Sequence, residues 1–187
     1  VRSGMQSLQG YFLVASPYLR DPNFIGTVVL MIRHDENGAL GVVLNRPADK
    51  TIRDLWKAVS SSPCQNDGPI HVGGPVPGPI MAIHTREDLA DLEVMPGIYF
   101  AAEKDKLEAL MSEPQERLRL FVGHSGWAGG QLENELREGA WFTMPAKLDY
   151  VFYDDVDLWH RVTREIGKAM LLDMVHPKHV PEDPSVN

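Results

Sequence analysis

The chain has a single cysteine, Cys64, among its 187 residues. One thiol cannot close an intrachain disulfide, so the fold must rest on its core, and a reducing compartment is expected. Long apolar runs are missing too. The longest strongly apolar stretch, Val28–Ile32, falls far short of the roughly 20 residues a membrane helix needs. The first apolar run, Tyr11–Ala15, is short and lacks a small-residue cleavage pattern behind it, so no secretory signal is read. Basic charge is scarce: 18 Lys and Arg stand against 26 Asp and Glu, for a net charge of −8 and a pI near 5.3. That balance repels a phosphate backbone. The densest basic cluster, Arg161–Lys168, is interrupted by Glu165, so direct binding of nucleic acid is not expected. There is also no dinucleotide fingerprint, phosphate loop or kinase element, and the seven histidines show no metal-ligand spacing. His176 and His179 are three apart but have no acidic or Cys ligand beside them. The expectation is a cytoplasmic protein with no cofactor, no metal and no membrane segment.

What is present is ordinary globular composition, 43% hydrophobic and 24% charged, long enough for one domain with a real core. Gly10–Ala15, Thr27–Ile32 and Ala39–Leu44 read as strands. The last two are joined by Asp35-Glu36-Asn37-Gly38, whose Asn-Gly step favours an antiparallel hairpin. Their uninterrupted apolar character implies cover on both faces. Thr51 with Asp54 forms a capping pair for a helix whose stripe is Ile52, Leu55, Trp56 and Val59. Ile70–Val72 and Ile80–His84 are strands flanking Gly73–Pro79. The three prolines in that segment remove the N–H donors a phosphate cradle needs, which makes it a rigid turn. Further strands are read at Gly97–Ala101, Leu118–Val122, Ala140–Phe142 and Leu148–Tyr153, with a short helix at Lys104–Met111. A last helix is capped by Asp154 or Asp155 and striped by Trp159, Val162, Ile166 and Met170. Pro177, Pro181 and Pro184 make the tail non-helical. The domain is read as residues 8–175, with flexible ends at 1–7 and 176–187.

The richest stretch is 123–136, where an apolar strand enters a Gly-rich bend and then a helix carrying Gln131, Glu133 and Glu135. Such a junction gathers backbone donors and polar side chains. Its sharpest catalytic reading is Ser125, in Gly123-x-Ser125-x, one step from a nucleophile elbow. The fifth position, however, is Trp127 rather than the Gly that permits the strained turn. Glu133 and Glu135 lie about 200° apart on a helix and cannot share a proton or a metal. Glu133 is expected to pair with Arg137 at i,i+4, while Gln131 and Glu135 share a third side open to a ligand or another chain. Asn45 and Arg46, before Pro47, are polar groups placed at a strand's end. Asn45, Arg46, His124, Trp127, Gln131 and Glu133 are therefore the candidate binding residues, with Asn45 and Arg46 expected beside Trp127, Gln131 and Glu133 in one shallow cleft.

Several segments together resemble the YqgE/AlgH family of bacterial proteins. They are Gly10-Tyr-Phe-Leu-x-Ala15, Leu19-x-Asp21-Pro22-x-Phe24, Thr27-Val28-Val29, and His34-x-x-x-Gly38-Ala39-x-Gly41-Val42-Val43-x-Asn45-Arg46-Pro47. Gly73-Gly74-Pro75-Val76 follows, then Gly126-Trp127-x-x-Gly130-Gln131-Leu132-Glu133-x-Glu135 with Trp141. The resemblance implies a single α/β (α+β) domain, whose mixed, mainly antiparallel sheet curls into a barrel-like, bifurcated core with helices packed outside. It implies no established catalytic activity. The family is often labelled a transcriptional regulator, but this chain shows no helix-turn-helix pattern and carries the wrong charge for DNA. The reading is a non-enzymatic regulatory or accessory protein acting through a protein partner, with transcription affected indirectly. A serine hydrolase using Ser125 and a direct DNA-binding regulator are the alternatives, and a homo-oligomer is compatible with all three.

Overall fold

The structure, a computed structural model, describes residues 4–153 and 157–175. Two sheets carry the fold. The first has five strands in the order β10-β3-β2-β1-β11, all antiparallel: β1 Tyr11–Ala15, β2 Val28–Asp35, β3 Gly38–Val43, β10 Ser125–Ala128 and β11 Trp141–Pro145. The second has six, in the order β4-β5-β9-β6-β8-β7: β4 Pro47–Thr51, β5 Pro69–Val72, β6 Met81–His84, β7 Leu92–Met95, β8 Ile98–Ala101 and β9 Leu118–Val122. Among the described strands only β5 and β9 run parallel, with His71 opposite Phe121. Helices α1 (Ile52–Val59), α2 (Lys104–Ser112), α3 (Gln131–Arg137), α4 (Leu148–Val151) and α5 (Leu158–Val175) pack around them.

The uninterrupted apolar strands do have two covered faces. Successive side chains alternate between the faces of a sheet. Phe12, Val14, Val28, Leu30 and Val42 therefore face the second sheet and α5, in a core shared with Ile83, Phe121 and Val162. Leu13, Ala15, Val29, Met31 and Val43 face the other way, onto Trp127, Leu132 and Trp141. A third core, with Ile52, Trp56, Leu110 and Leu120, joins α1 and α2 to the far side of the second sheet.

The five-stranded sheet is strongly curled. Trp127 and Trp141 stand on its two outermost strands, yet their ring centroids are 6.2 Å apart, edge to face. In a flat sheet four strand spacings would part them by about 19 Å. Helix α3 packs against β3, β10 and β11 and closes the concave side.

The chain changes sheets at Gly123 (φ 73°), between β9 and β10. There Gly73 donates to Val122 O at 3.0 Å and accepts from Val43 N at 2.9 Å, while Val76 and His124 form an isolated bridge. The backbones lie so close that a Cβ on Gly123 would come within 2.6 Å of Gly74 O.

Several expectations are corrected. Leu148–Tyr153 is not a strand but begins with helix α4, since Leu148 and Val151 meet the core at i,i+3 spacing. Val59 is exposed rather than part of the α1 stripe, and Met170 is exposed at the far end of α5. The third strand does stop before Pro47, but a strand that the sequence did not indicate follows at once. Pro47 opens this edge strand, β4, where a missing N–H is tolerated. The Asp154/Asp155 cap and the 176–187 tail, with His176 and His179, lie outside the described residues.

Candidate functional site

Residues 16–26, between β1 and β2, form a loop that the rest of the domain holds in one shape. It starts with a Ser turn, in which Ser16 Oγ accepts from Tyr18 N at 3.1 Å. An Asp turn follows: Asp21 Oδ1 accepts from Asn23 N at 2.9 Å, and Asp21 O from Phe24 N and Ile25 N. Asn45 then fastens its exit, accepting from Val28 N at 3.0 Å and donating to Gly26 O at 2.9 Å. The Arg46 guanidinium donates to the carbonyls of Pro22, Asn23 and Ile25. A planar fork of five donors suits a fold-back of several carbonyls. Beneath the loop, Phe24 stacks on Trp127 at 5.9 Å and meets Trp141 edge-on at 5.4 Å.

The outer side of this pinned loop carries two large apolar side chains among exposed polar ones such as Arg20 and Asn23. Tyr18 is 88% exposed and Ile25 56% exposed. Beside them a groove of about 270 Å³ is lined by Ser16, Pro17, Ile25, Gly26, Trp159 and His160. Trp159 is fixed there by donating its indole N–H to Ala15 O at 2.8 Å. Dispersed motifs thus converge: Asp21, Phe24, Asn45, Arg46, Trp127 and Trp141 are far apart in sequence and all serve this one loop.

The remaining candidate residues have other duties. Ser125 is an edge-strand residue opposite Gly41, not an elbow; its hydroxyl is fully buried and donates to Gly73 O at 3.0 Å. A serine nucleophile must hand its proton to a base, and here the proton is spent on a carbonyl. His124 bridges Val76 through its backbone, and its ring lies against Gly78. Gln131 Oε1 accepts from Ala128 N at 3.0 Å, closing the turn into α3. Glu133 pairs not with Arg137 but with buried His34, Nε2 to Oε1 2.6 Å. Burial pushes the Glu133 carboxyl up, but the His34 hydrogen bond, a backbone hydrogen bond and the nearby His34 and Arg137 together bring the net shift downward. Glu135 is not turned to an outside partner. It faces the Trp127 indole, and burial pushes its carboxyl up, with Asp21 and Glu138 adding to the shift.

The shared cleft expected between Asn45 and Gln131 is not formed. Trp127 pairs with Ala39 at the hairpin end of β3, and Asn45 lies beyond its other end, about 20 Å away along the strand. Only Trp127 reaches the Asn45–Arg46 region, through Phe24. Sequence reading overlooked Tyr18 and Ile25, whose signal was two large apolar residues inside an otherwise turn-like segment. Among the described residues, no group of three or more His, Cys, Asp or Glu is placed to hold a metal, and no helix is long and apolar enough to cross a membrane.

Known proteins share this architecture. A family model described as AlgH-like (DUF179) matches residues 12–171. A UPF0301 protein of Chlorobaculum tepidum is 36% identical over 185 residues, covering 95% of both chains. The solution structure of the AlgH protein from Pseudomonas aeruginosa superposes with a TM-score of 0.68 at 28% identity, covering 98% of this chain and 100% of that one. A crystal structure of a Corynebacterium diphtheriae protein, at 24% identity and TM-score 0.70 over 88% of this chain and 90% of that one, has the same fold.

Proposed function

This chain belongs to the AlgH-like family, and on that footing we propose that it is a cytoplasmic, non-enzymatic regulatory or accessory protein whose partner protein docks on the 16–26 loop. The observation that carries this reading is a contrast. The loop is pinned from beneath by Asn45, Arg46 and Phe24, yet it turns Tyr18 and Ile25 outward beside an apolar groove. Large apolar side chains on an ordered loop suit binding, because ordering entropy is already spent before the partner arrives. Tyr is also among the residues that dominate interface energetics. With a net charge of −8, any effect on transcription runs through that partner rather than through direct contact with DNA. The buried Ser125 hydroxyl, committed to Gly73 O, gives the hydrolase alternative no support.

The test is affinity purification of the full chain from native lysate in mild salt, in parallel with Tyr18→Ser/Ile25→Ser. A stoichiometric protein partner retained by the parent and lost by the variant, at unchanged melting temperature, is the expected result. Recovery of bare protein across several growth conditions, or a partner held equally by both, would overturn it.

A further inference from the structure

Helix α5 is docked over its first half only. Leu158 and Val162 are buried between the sheets and Ile166 is half-buried, one helical turn apart on a single face. Past the body the helix carries Met170 and Met174, the latter 79% exposed, which the drift of about 40° per i,i+4 step turns away from the docked face. Leu171 and Leu172 occupy the other sides of the same two turns and are exposed as well. A helix end that is apolar on nearly every side is stable when enclosed, not when laid on a flat surface. A single antiparallel helix from a second copy would cover one stripe and leave the others wet. Asp173 sits among these residues, and a hydrocarbon layer would strand its carboxylate, whereas a protein can offer it a donor. One turn back, Arg164 and Lys168 are exposed on the outer face at i,i+4, a local basic pair on an acidic chain.

We infer that the Met170–Met174 end of α5 is an anchor for a deep apolar groove in a partner protein whose rim is acidic. This is helix-in-groove recognition, with adaptable methionines as the contact surface. Acidic side chains at the rim would meet Arg164 and Lys168, and a donor within the groove would meet Asp173. The inference rests on the partner-mediated reading above and adds a second contact surface with its own chemistry.

Photo-crosslinking tests it in the full chain, in its native cells, with Leu171→p-benzoylphenylalanine and, separately, Tyr18→p-benzoylphenylalanine. The expected result is an adduct from position 171 to a different protein, mapped to an apolar groove flanked by Asp or Glu. Adding Arg164→Glu/Lys168→Glu should lower its yield by roughly tenfold at unchanged melting temperature. An adduct to a second copy, to lipid or to the chain's own residues 176–187 overturns the inference, as does a yield indifferent to charge reversal. An adduct from position 18 with none from 171 overturns it alone. No adduct from either position overturns the docking-loop proposal with it.

Discussion

His34 Nδ1 accepts from Leu8 N at 2.9 Å while its Nε2 lies 2.6 Å from Glu133 Oε1. A ring nitrogen that accepts a backbone N–H carries no proton, so His34 is the neutral Nε2–H tautomer donating to a carboxylate. Both ring nitrogens are occupied, which makes His34 a buried cross-link between β2 and α3 rather than a base. Glu133→Gln keeps an acceptor and should cost under about 1 kcal/mol, whereas Glu133→Leu orphans a buried donor and should cost about 1–3 kcal/mol. Urea denaturation at pH 7 distinguishes them; equal losses would mean a charged pair instead. Because the folded Glu133 carboxyl is lowered, its contribution is present above the ordinary carboxylate range and is lost as pH falls below about 4.5.

His84 titrates in a separate window. It is fully buried, and its Nδ1 accepts from Arg86 N at 3.0 Å. Burial, assisted by the nearby Arg86 charge, lowers it from 6.5 to about 4. The unfolded chain therefore binds the proton more readily, and stability should fall as pH drops from 6.5 towards 4, by on the order of 2 kcal/mol. Urea midpoints at pH 7.5 and 5 should differ in the parent and converge in His84→Gln. Parallel losses in both proteins would assign the effect to other groups.

Two glycines of the motif segments separate packing from surface. A Cβ on Gly74 (φ 155°) would clash with the His124 backbone, whereas Gly126 has nothing within 4 Å of its Cβ position. Gly74→Ala should destabilise by about 2–4 kcal/mol, and Gly126→Ala should stay within about 0.5 kcal/mol. Thermal unfolding of the pair decides it, and similar melting temperatures would refute the close backbone approach between the sheets.

Arg46→Ala removes three loop contacts and little core. Amide exchange over residues 23–26 should speed at least tenfold, while exchange in β2 and β3 stays unchanged. Partner retention should weaken with it, since the loop would have to be ordered on binding. Unchanged exchange would mean that Asn45 and Phe24 fix the loop without Arg46.

Legibility in the sequence followed how locally each element is determined. The β2–β3 hairpin and the Thr51–Asp54 capping box were readable because the Asn-Gly step and the cap act within a few residues. Strands β4 and β7 were missed: β4 is polar and β7 is a four-residue edge strand, so each is defined by its neighbour rather than by its own pattern. Residues 125–128 read as a bend because Gly and Ser are poor strand formers, yet pairing with β3 makes them one. At the site, Asn45, Arg46 and Trp127 were recognisable as polar or aromatic groups at strand ends. Their joint support of one loop was not, since it depends on the curl that brings Trp127 to Trp141.

Strand β1 lies between β2, its near neighbour in sequence, and β11, which closes the sheet only when Trp141–Pro145 arrive. During synthesis, β1, β2 and β3 leave the ribosome before the second sheet that covers one of their faces, and long before Trp127, Leu132 and Trp141, which cover the other. The face formed by Leu13, Val29 and Met31 thus stays uncovered well into translation, an aggregation-exposed surface. Nor can the five-stranded sheet form from one side of the six-stranded one, because its strands come from residues 11–43 and 125–145, with the whole second sheet between them in sequence.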